Sequence, residues 1–75
     1  MNYNLKDKNI IITGGSSGIG ESIIDLLLKN KANVVNIDVN DNLKTKTIIT
    51  DITNNQDVTK ILNSIPKKID ILINN

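Results

Sequence analysis

Residues 8–20 read KNIIITGGSSGIG, a short β-branched run that leads directly into a glycine-rich turn. The run has no apolar–polar alternation, which is typical of a strand buried on both faces inside a parallel sheet. Apolar residues then recur at the three-and-four spacing of one helix face, at Ile19, Ile23, Ile24, Leu27 and Leu28. Strand, glycine turn and helix together predict the opening of an α/β domain.

The rest of the chain continues this alternation. Further strands are predicted at residues 33–39, 47–50 and 69–73, and a second helix follows the capping-box sequence of residues 53–56 and ends before Pro66. Only residues 43–46 are left for the second crossover, too few for a helix. Right-handed connections then give the strand order 3-2-1-4. The prediction is a partial doubly wound, Rossmann-type parallel sheet, truncated after strand 4.

Composition limits what such a chain can do. Its 75 residues allow one small domain at most, spanning residues 1–75. The absence of Cys and His excludes a disulfide framework, a zinc site and a histidine general base, so no metal site is expected. A net charge of +1 and a single aromatic residue argue against nucleic acid as a ligand. No apolar run exceeds three residues, so neither a signal peptide nor a membrane span is predicted, and a cytoplasmic protein is expected.

The glycine turn lies where backbone N–H groups and a helix N-terminus can meet a phosphate. A P-loop would need lysine after the last glycine, but Glu21 follows Gly20, so the sequence argues against a nucleoside triphosphatase. The common dinucleotide pattern G-x-G-x-x-G also fails, because Ile23 stands at its last position.

The turn does match Thr-Gly-x-x-x-Gly-Ile-Gly at residues 13–20, and there the chain resembles the short-chain dehydrogenase/reductase family. The epimerase-like branch of that family would need glycine where Ser17 stands, so the oxidoreductase-rich branch fits better. Three more features agree: Asp38 closing strand 2, Asp-Ile-Thr at 51–53, and Asn-Asn at 74–75. The resemblance covers the whole chain and is to the N-terminal nucleotide-binding portion of the family only.

The resemblance implies a cofactor site at the carboxyl ends of the strands. Its residues would be Gly14, Ser16, Ser17, Gly18, Ile19, Gly20, Asp38, Asp51, Ile52 and Asn74. The three glycines would shape the turn, N–H groups near Ser17 and Ile19 would hold the pyrophosphate, and Ser16 would reach the adenosine ribose or a phosphate.

In the same family, Asp51 with Ile52 beside it contacts the adenine amine, Asn74 lies over the ribose next to nicotinamide, and Thr13 braces strand 1 against the Asn-Asn segment. Asp38 stands 18 residues after Gly20, where an acid can accept hydrogen bonds from ribose hydroxyls, so NAD is expected in preference to NADP. The plainer alternatives are an unliganded turn, a solvated acid at Asp38, and an Asp51 that only caps the next helix.

The family's catalytic groups, a downstream Ser and a Tyr-x-x-x-Lys pair, have no counterpart in the 75 residues. Tyr3 precedes strand 1 and Asp7 stands where the lysine would be needed, so no catalytic residue is assigned. The resemblance implies the cofactor-binding part of an NAD(H)-dependent oxidoreductase that transfers hydride between nicotinamide and an alcohol or carbonyl substrate, and that forms a homo-oligomer. A truncated, non-catalytic nucleotide-binding or interaction module is the alternative. A third reading, epimerisation, is disfavoured by the glycine spacing.

Overall fold

The β-branched run forms an interior strand of a four-stranded parallel sheet in a computed structural model of the chain. The structure describes residues 4–50 and 55–75, with residues 55–57 in backbone only. Its elements are β1 (Asn9–Thr13), α1 (Gly18–Lys29), β2 (Asn33–Asp38), β3 (Lys46–Ile49), α2 (Asn55–Ser64) and β4 (Ile71–Asn74).

The strand order is β3-β2-β1-β4, as the sequence predicts. Every pairing is parallel: β1 pairs with β2 from Asn9↔Asn33 onward and with β4 from Ile10↔Ile71 onward. β2 pairs with β3, and residues 39–45 connect these two strands without a helix, which confirms the abbreviated crossover. α2 ends at Ser64, just before Pro66.

The core lies on both faces of the sheet. Alternate residues of β1 face opposite sides of the sheet. Ile10 and Ile12 pack in a cluster with Ile24 of α1, and Ile11 packs in a second cluster with Ile61 of α2. All three side chains are buried, which confirms the prediction of a strand covered on both sides. The apolar stripe predicted for α1 is wrong at Ile19, which is 75% exposed. Ile19 lies in the first turn of α1 and packs in neither buried cluster of the sheet.

Some sequence predictions concern residues that the structure does not describe. Tyr3, Asp51, Ile52 and the first half of the capping box, residues 53–54, lie outside the described residues. Neither helix in the described part of the chain is long and apolar enough to cross a membrane.

Candidate functional site

The carboxyl ends of the parallel strands meet the glycine turn at one edge of the sheet. A cleft of about 220 Å³ opens there, and eight residues line it: Thr13, Gly14, Ile37, Asp38, Val39, Thr50, Asn74 and Asn75. Three of the predicted features, the glycine turn, Asp38 and the Asn-Asn segment, therefore share one locality, because each follows or ends a strand of the same sheet.

Two glycines of the turn have different physical roles. Gly18 has a φ of +56°, a region that L side chains rarely adopt, and a Cβ built on it would meet no atom within 4 Å. A Cβ on Gly20 would overlap the carbonyl oxygen of Gly14. Gly20 therefore lets α1 begin against the turn, whereas Gly18 leaves an open surface above it.

The first turn of α1 has the features of an anion-binding helix N-terminus. Ser17 is the N-cap residue with extended backbone, and its side chain makes no capping hydrogen bond within the described part of the chain. The N–H groups of a helix's first turn have no intrahelical acceptors and carry the positive end of the helix dipole. A ligand phosphate at this turn would satisfy both features.

Asp38 is held beside the turn by three backbone N–H groups. Its Oδ2 accepts a hydrogen bond from Ser16 N at 2.9 Å, and its Oδ1 accepts from Val39 N at 2.6 Å and from Asn40 N at 3.3 Å. Partial desolvation raises the pKa of Asp38, but the three backbone donors outweigh it and hold the pKa below its ordinary value. The carboxylate is therefore ionised at neutral pH and keeps lone pairs for further donors.

The end of β4 is tied to the start of the turn. Thr13 Oγ1 donates to Asn74 Oδ1 at 3.3 Å and accepts from Asn75 N at 3.2 Å. Asn75 Nδ2 donates to the carbonyl oxygen of Gly14 at 2.9 Å. The bracing of β1 against the Asn-Asn segment that the resemblance implies is thus present.

Two polar side chains at the site were missed by sequence reasoning. Asn36 is 0% exposed and accepts a hydrogen bond from Gly15 N at 2.8 Å, and Asn42 Nδ2 donates to Gly15 O at 3.0 Å. The signal for Asn36 was an amide within the apolar run of β2, between Val35 and Ile37. A third polar atom, Thr50 Oγ1, is buried in a residue that lines the cleft, with no hydrogen-bond partner among the described residues.

The sequence-predicted residues of the turn, Asp38 and Asn74 are thus brought to one edge of the sheet. Asp51 and Ile52 follow Thr50 directly in the sequence but lie outside the described residues.

Comparison with known proteins agrees with the sheet order and the glycine turn. The model of the short chain dehydrogenase family matches residues 8–75. An NAD-dependent glycerol dehydrogenase from Listeria innocua is 33% identical over 85 aligned residues, which cover 96% of this chain and 34% of the relative. Sorbitol-6-phosphate 2-dehydrogenase from Klebsiella pneumoniae is 58% identical over 36 residues, covering 48% of this chain and 14% of the relative.

Solved structures of dehydrogenases are also similar to this chain. A short chain dehydrogenase from Leptospira borgpetersenii with bound NAD⁺ superposes with a TM-score of 0.84 at 32% identity, covering 95% of this chain and 32% of that one. Ligand-free aldohexose dehydrogenase from Thermoplasma acidophilum also gives a TM-score of 0.84, at 33% identity and 30% coverage of its own chain. The fold is a Rossmann-type parallel sheet, and the chain belongs to the short chain dehydrogenase family. Nearly the whole of this chain aligns with the Listeria and Leptospira proteins, but it spans only about a third of their length.

Proposed function

We propose that residues 1–75 are the N-terminal dinucleotide-binding portion of a single Rossmann-type domain, in an NAD(H)-dependent oxidoreductase that acts on an alcohol or carbonyl substrate. The observation that carries the proposal is the ionised Asp38 carboxylate, hydrogen-bonded to a glycine turn whose helix start has no side-chain cap among the described residues. Bound at this edge, the nicotinamide would supply hydride transfer to or from the substrate carbon.

The residues of the turn fit a dinucleotide. The pyrophosphate would lie on the open surface at Gly18, against the N–H groups near Ser17 and Ile19, with Gly14 and Gly20 shaping the turn. Asn74, whose Oδ1 accepts a hydrogen bond from Thr13 Oγ1, would lie beside the ribose that carries nicotinamide.

The adenosine half would lie on the other side of the turn. The adenine would sit between Asp38 and Asp51, with Ile52 beside it. The Thr50 hydroxyl, which has no hydrogen-bond partner among the described residues, offers a further polar contact in that part of the cleft. Ser16 would contact the adenosine ribose.

The proposal favours NAD over NADP. A 2′-phosphate on the ribose would meet the negative charge of Asp38. The residues after β2, Val39 and Asn40, are neutral. Lys44, in the β2–β3 connection, is already 2.9 Å from Asp25 Oδ1, and this contact raises the pKa of Lys44. The lysine charge is thus already matched by a carboxylate.

Proton transfer in this proposal belongs to groups outside the 75 residues, because the sequence carries no Tyr-x-x-x-Lys pair. The proposal includes a cytoplasmic location, supported by the absence of long apolar runs, and a homo-oligomer, as the family resemblance implies. The second candidate is a non-catalytic nucleotide-binding or interaction module, which is favoured by the two exposed apolar side chains of β4, Ile71 and Leu72.

The test compares Gly18→Val with Lys31→Val. We expect Gly18→Val to abolish NADH binding, because its branched side chain would stand where the phosphate must approach the backbone. Lys31 has a φ of +63°, close to that of Gly18, so Lys31→Val places the same β-branched side chain in the same backbone conformation away from the turn. NADH affinity is measured by fluorescence titration of the whole protein.

Lys31→Val should bind NADH as the unmodified protein does, which separates the effect of valine at a positive φ from blockage of the phosphate site. Equal NADH affinity of the unmodified protein and the folded Gly18→Val variant would contradict the proposed site.

A further inference from the structure

Both backbone polar groups of Gly15 are held by asparagine side chains. Gly15 N donates to Asn36 Oδ1 at 2.8 Å, and Gly15 O accepts from Asn42 Nδ2 at 3.0 Å. A Cβ built on Gly15 would lie only 2.5 Å from Asn36 Oδ1. The turn therefore rests directly on the Asn36 amide, and the Gly15 N–H is not available to a phosphate.

The orientation of the Asn36 amide is fixed by its partners. The side chain is fully buried, and its Nδ2 donates to Ser16 Oγ at 2.9 Å and to Thr47 Oγ1 at 3.4 Å. An amide flipped by 180° would turn its donor group towards the Gly15 N–H and leave buried polar groups unpaired, which is costly. The amide therefore presents oxygen to Gly15 and nitrogen to Ser16.

This orientation determines what Ser16 can offer a ligand. A hydroxyl has one donor hydrogen and two acceptor lone pairs. The hydrogen of Ser16 Oγ is taken by one of two acceptors, the carbonyl oxygen of Asn40 or the carboxylate of Asp38. One lone pair accepts from Asn36, and Ser16 N–H goes to Asp38. Ser16 Oγ can therefore offer a ligand only its second lone pair, which is a hydrogen-bond acceptor. The neighbouring Asp38 carboxylate is likewise an acceptor only.

We propose that Asn36 is a positioning residue that makes this end of the nucleotide site recognise hydrogen-bond donors only. By donating to Ser16 Oγ and accepting from Gly15 N, it directs the Ser16 hydroxyl hydrogen towards Asn40 and Asp38 and leaves acceptors for a ribose diol. Phosphate binding is then left to the N–H groups of residues 17–20. The inference rests on the proposed function, since it assigns the geometry of the same dinucleotide site.

The test is a double-mutant cycle on NADH affinity with Asn36→Asp and Ser16→Ala in the whole protein. Asn36→Asp keeps the size and the Oδ1 acceptor but replaces the amide donor. We expect each single change to weaken NADH binding about 10-fold, and the double variant to be no weaker than Asn36→Asp alone, because Asn36 acts through Ser16. A purely structural role for Asn36 predicts that the two losses multiply.

The matched control is Asn33→Asp. Asn33 begins the same strand at the opposite edge of the sheet, is exposed, and donates to Asp7 O at 3.3 Å. We expect its NADH affinity to equal that of the unmodified protein. If the unmodified protein does not bind NADH, the proposed function and this inference both fail. If it binds, and Asn36→Asp binds equally well or the losses multiply, only the inference fails.

Hydrogen exchange of the unmodified protein gives a second measurement that needs no variant. The Gly15 amide should be protected to the same degree with and without NADH, because its acceptor is the buried Asn36 oxygen. Amides of residues 17–20 should gain protection when NADH binds. Gly15 protection that appears only with NADH would overturn the assignment of Asn36, even if Asn36→Asp did not fold.

Discussion

Asp38 contributes to the site in two ways, as a structural acceptor and as a charge. Its Oδ2 holds Ser16 N, and its Oδ1 holds the first two N–H groups after β2. The same contacts keep its pKa low, so the negative charge persists wherever the protein is folded near neutral pH. In the proposed site, discrimination between the two nicotinamide cofactors would depend on this one acid.

Replacing Asp38 by serine should change the cofactor preference. We expect Asp38→Ser to lose affinity for NADH, because ribose hydroxyls lose their acceptor, and to bind NADPH better, because the repulsion of the 2′-phosphate is removed. The ratio of the NADPH to the NADH dissociation constant should fall at least about 10-fold. Both constants are measured for the unmodified protein and the variant.

Asp41→Ser is the control for charge alone, since Asp41 is exposed on the β2–β3 connection and its loss changes the net charge equally. It should leave the ratio unchanged. Tighter binding of NADPH than of NADH by the unmodified protein would contradict the assignment of Asp38.

The residues that the sequence predicted are those whose position alone is informative. Asp38 was predicted because it ends the second strand at a set distance from the glycines. Asn36 was not, because the chain has 13 asparagines and their burial depends on tertiary packing. The partners of Asp38 were also beyond sequence reasoning, since Ser16 meets it across 22 residues of chain.

At the scale of elements, periodicity predicted the type and order of the strands and helices but not their ends. β4 begins at Ile71 and not at residue 69, since Asp70 is engaged with Asn9: its N–H donates to Asn9 O, and its carboxylate accepts from Asn9 N at 2.8 Å. The stripe of α2 is exposed at Leu62 (65%), although Ile61 is buried. Helical spacing identifies an apolar face, but the burial of each residue on that face depends on which elements pack against it.

The packing of α1 on the sheet should depend on Ile24. This side chain is fully buried in the cluster with Ile10 and Ile12 of β1, and it lies so close to Gly15 that a Cβ there would overlap Ile24 Cδ1. We expect Ile24→Ala to lower the free energy of unfolding by about 2–5 kcal/mol, because truncation leaves a cavity. Urea denaturation of the whole protein measures the change.

Leu26→Ala is the matched control on the same helix, because Leu26 is 56% exposed. Its effect should stay within about 0.5 kcal/mol. Equal losses for the two variants would mean that α1 does not pack on the sheet through Ile24.

At the scale of the whole molecule, two of the ten large apolar side chains that are exposed among the described residues lie on the last strand. β4 pairs with β1 on one side, and among the described strands it forms an edge of the sheet. Its Leu72 is 66% exposed and Ile71 is also exposed. An unpaired apolar edge can accept a further strand from the same or another chain.

A polypeptide of these 75 residues should therefore associate and should show no dehydrogenase turnover. Association is expected through the β4 edge, and Leu72→Lys should shift the molecule towards monomer, whereas Leu43→Lys, at an exposed leucine far from that edge, should not. The measurement is size-exclusion chromatography over a range of concentrations, on material whose intact mass is verified.

Turnover should be absent because a positioned proton-transfer group contributes about 10² to 10⁴ in rate, and this sequence has no His, no Cys and one tyrosine, before β1. NADH oxidation is assayed on the same 75-residue sample, alongside NADH binding. Binding without turnover is the expected result and places the proton-transfer groups outside these residues. Turnover by verified 75-residue material would contradict that assignment, and a stable monomer would contradict the role of β4 as an associating edge.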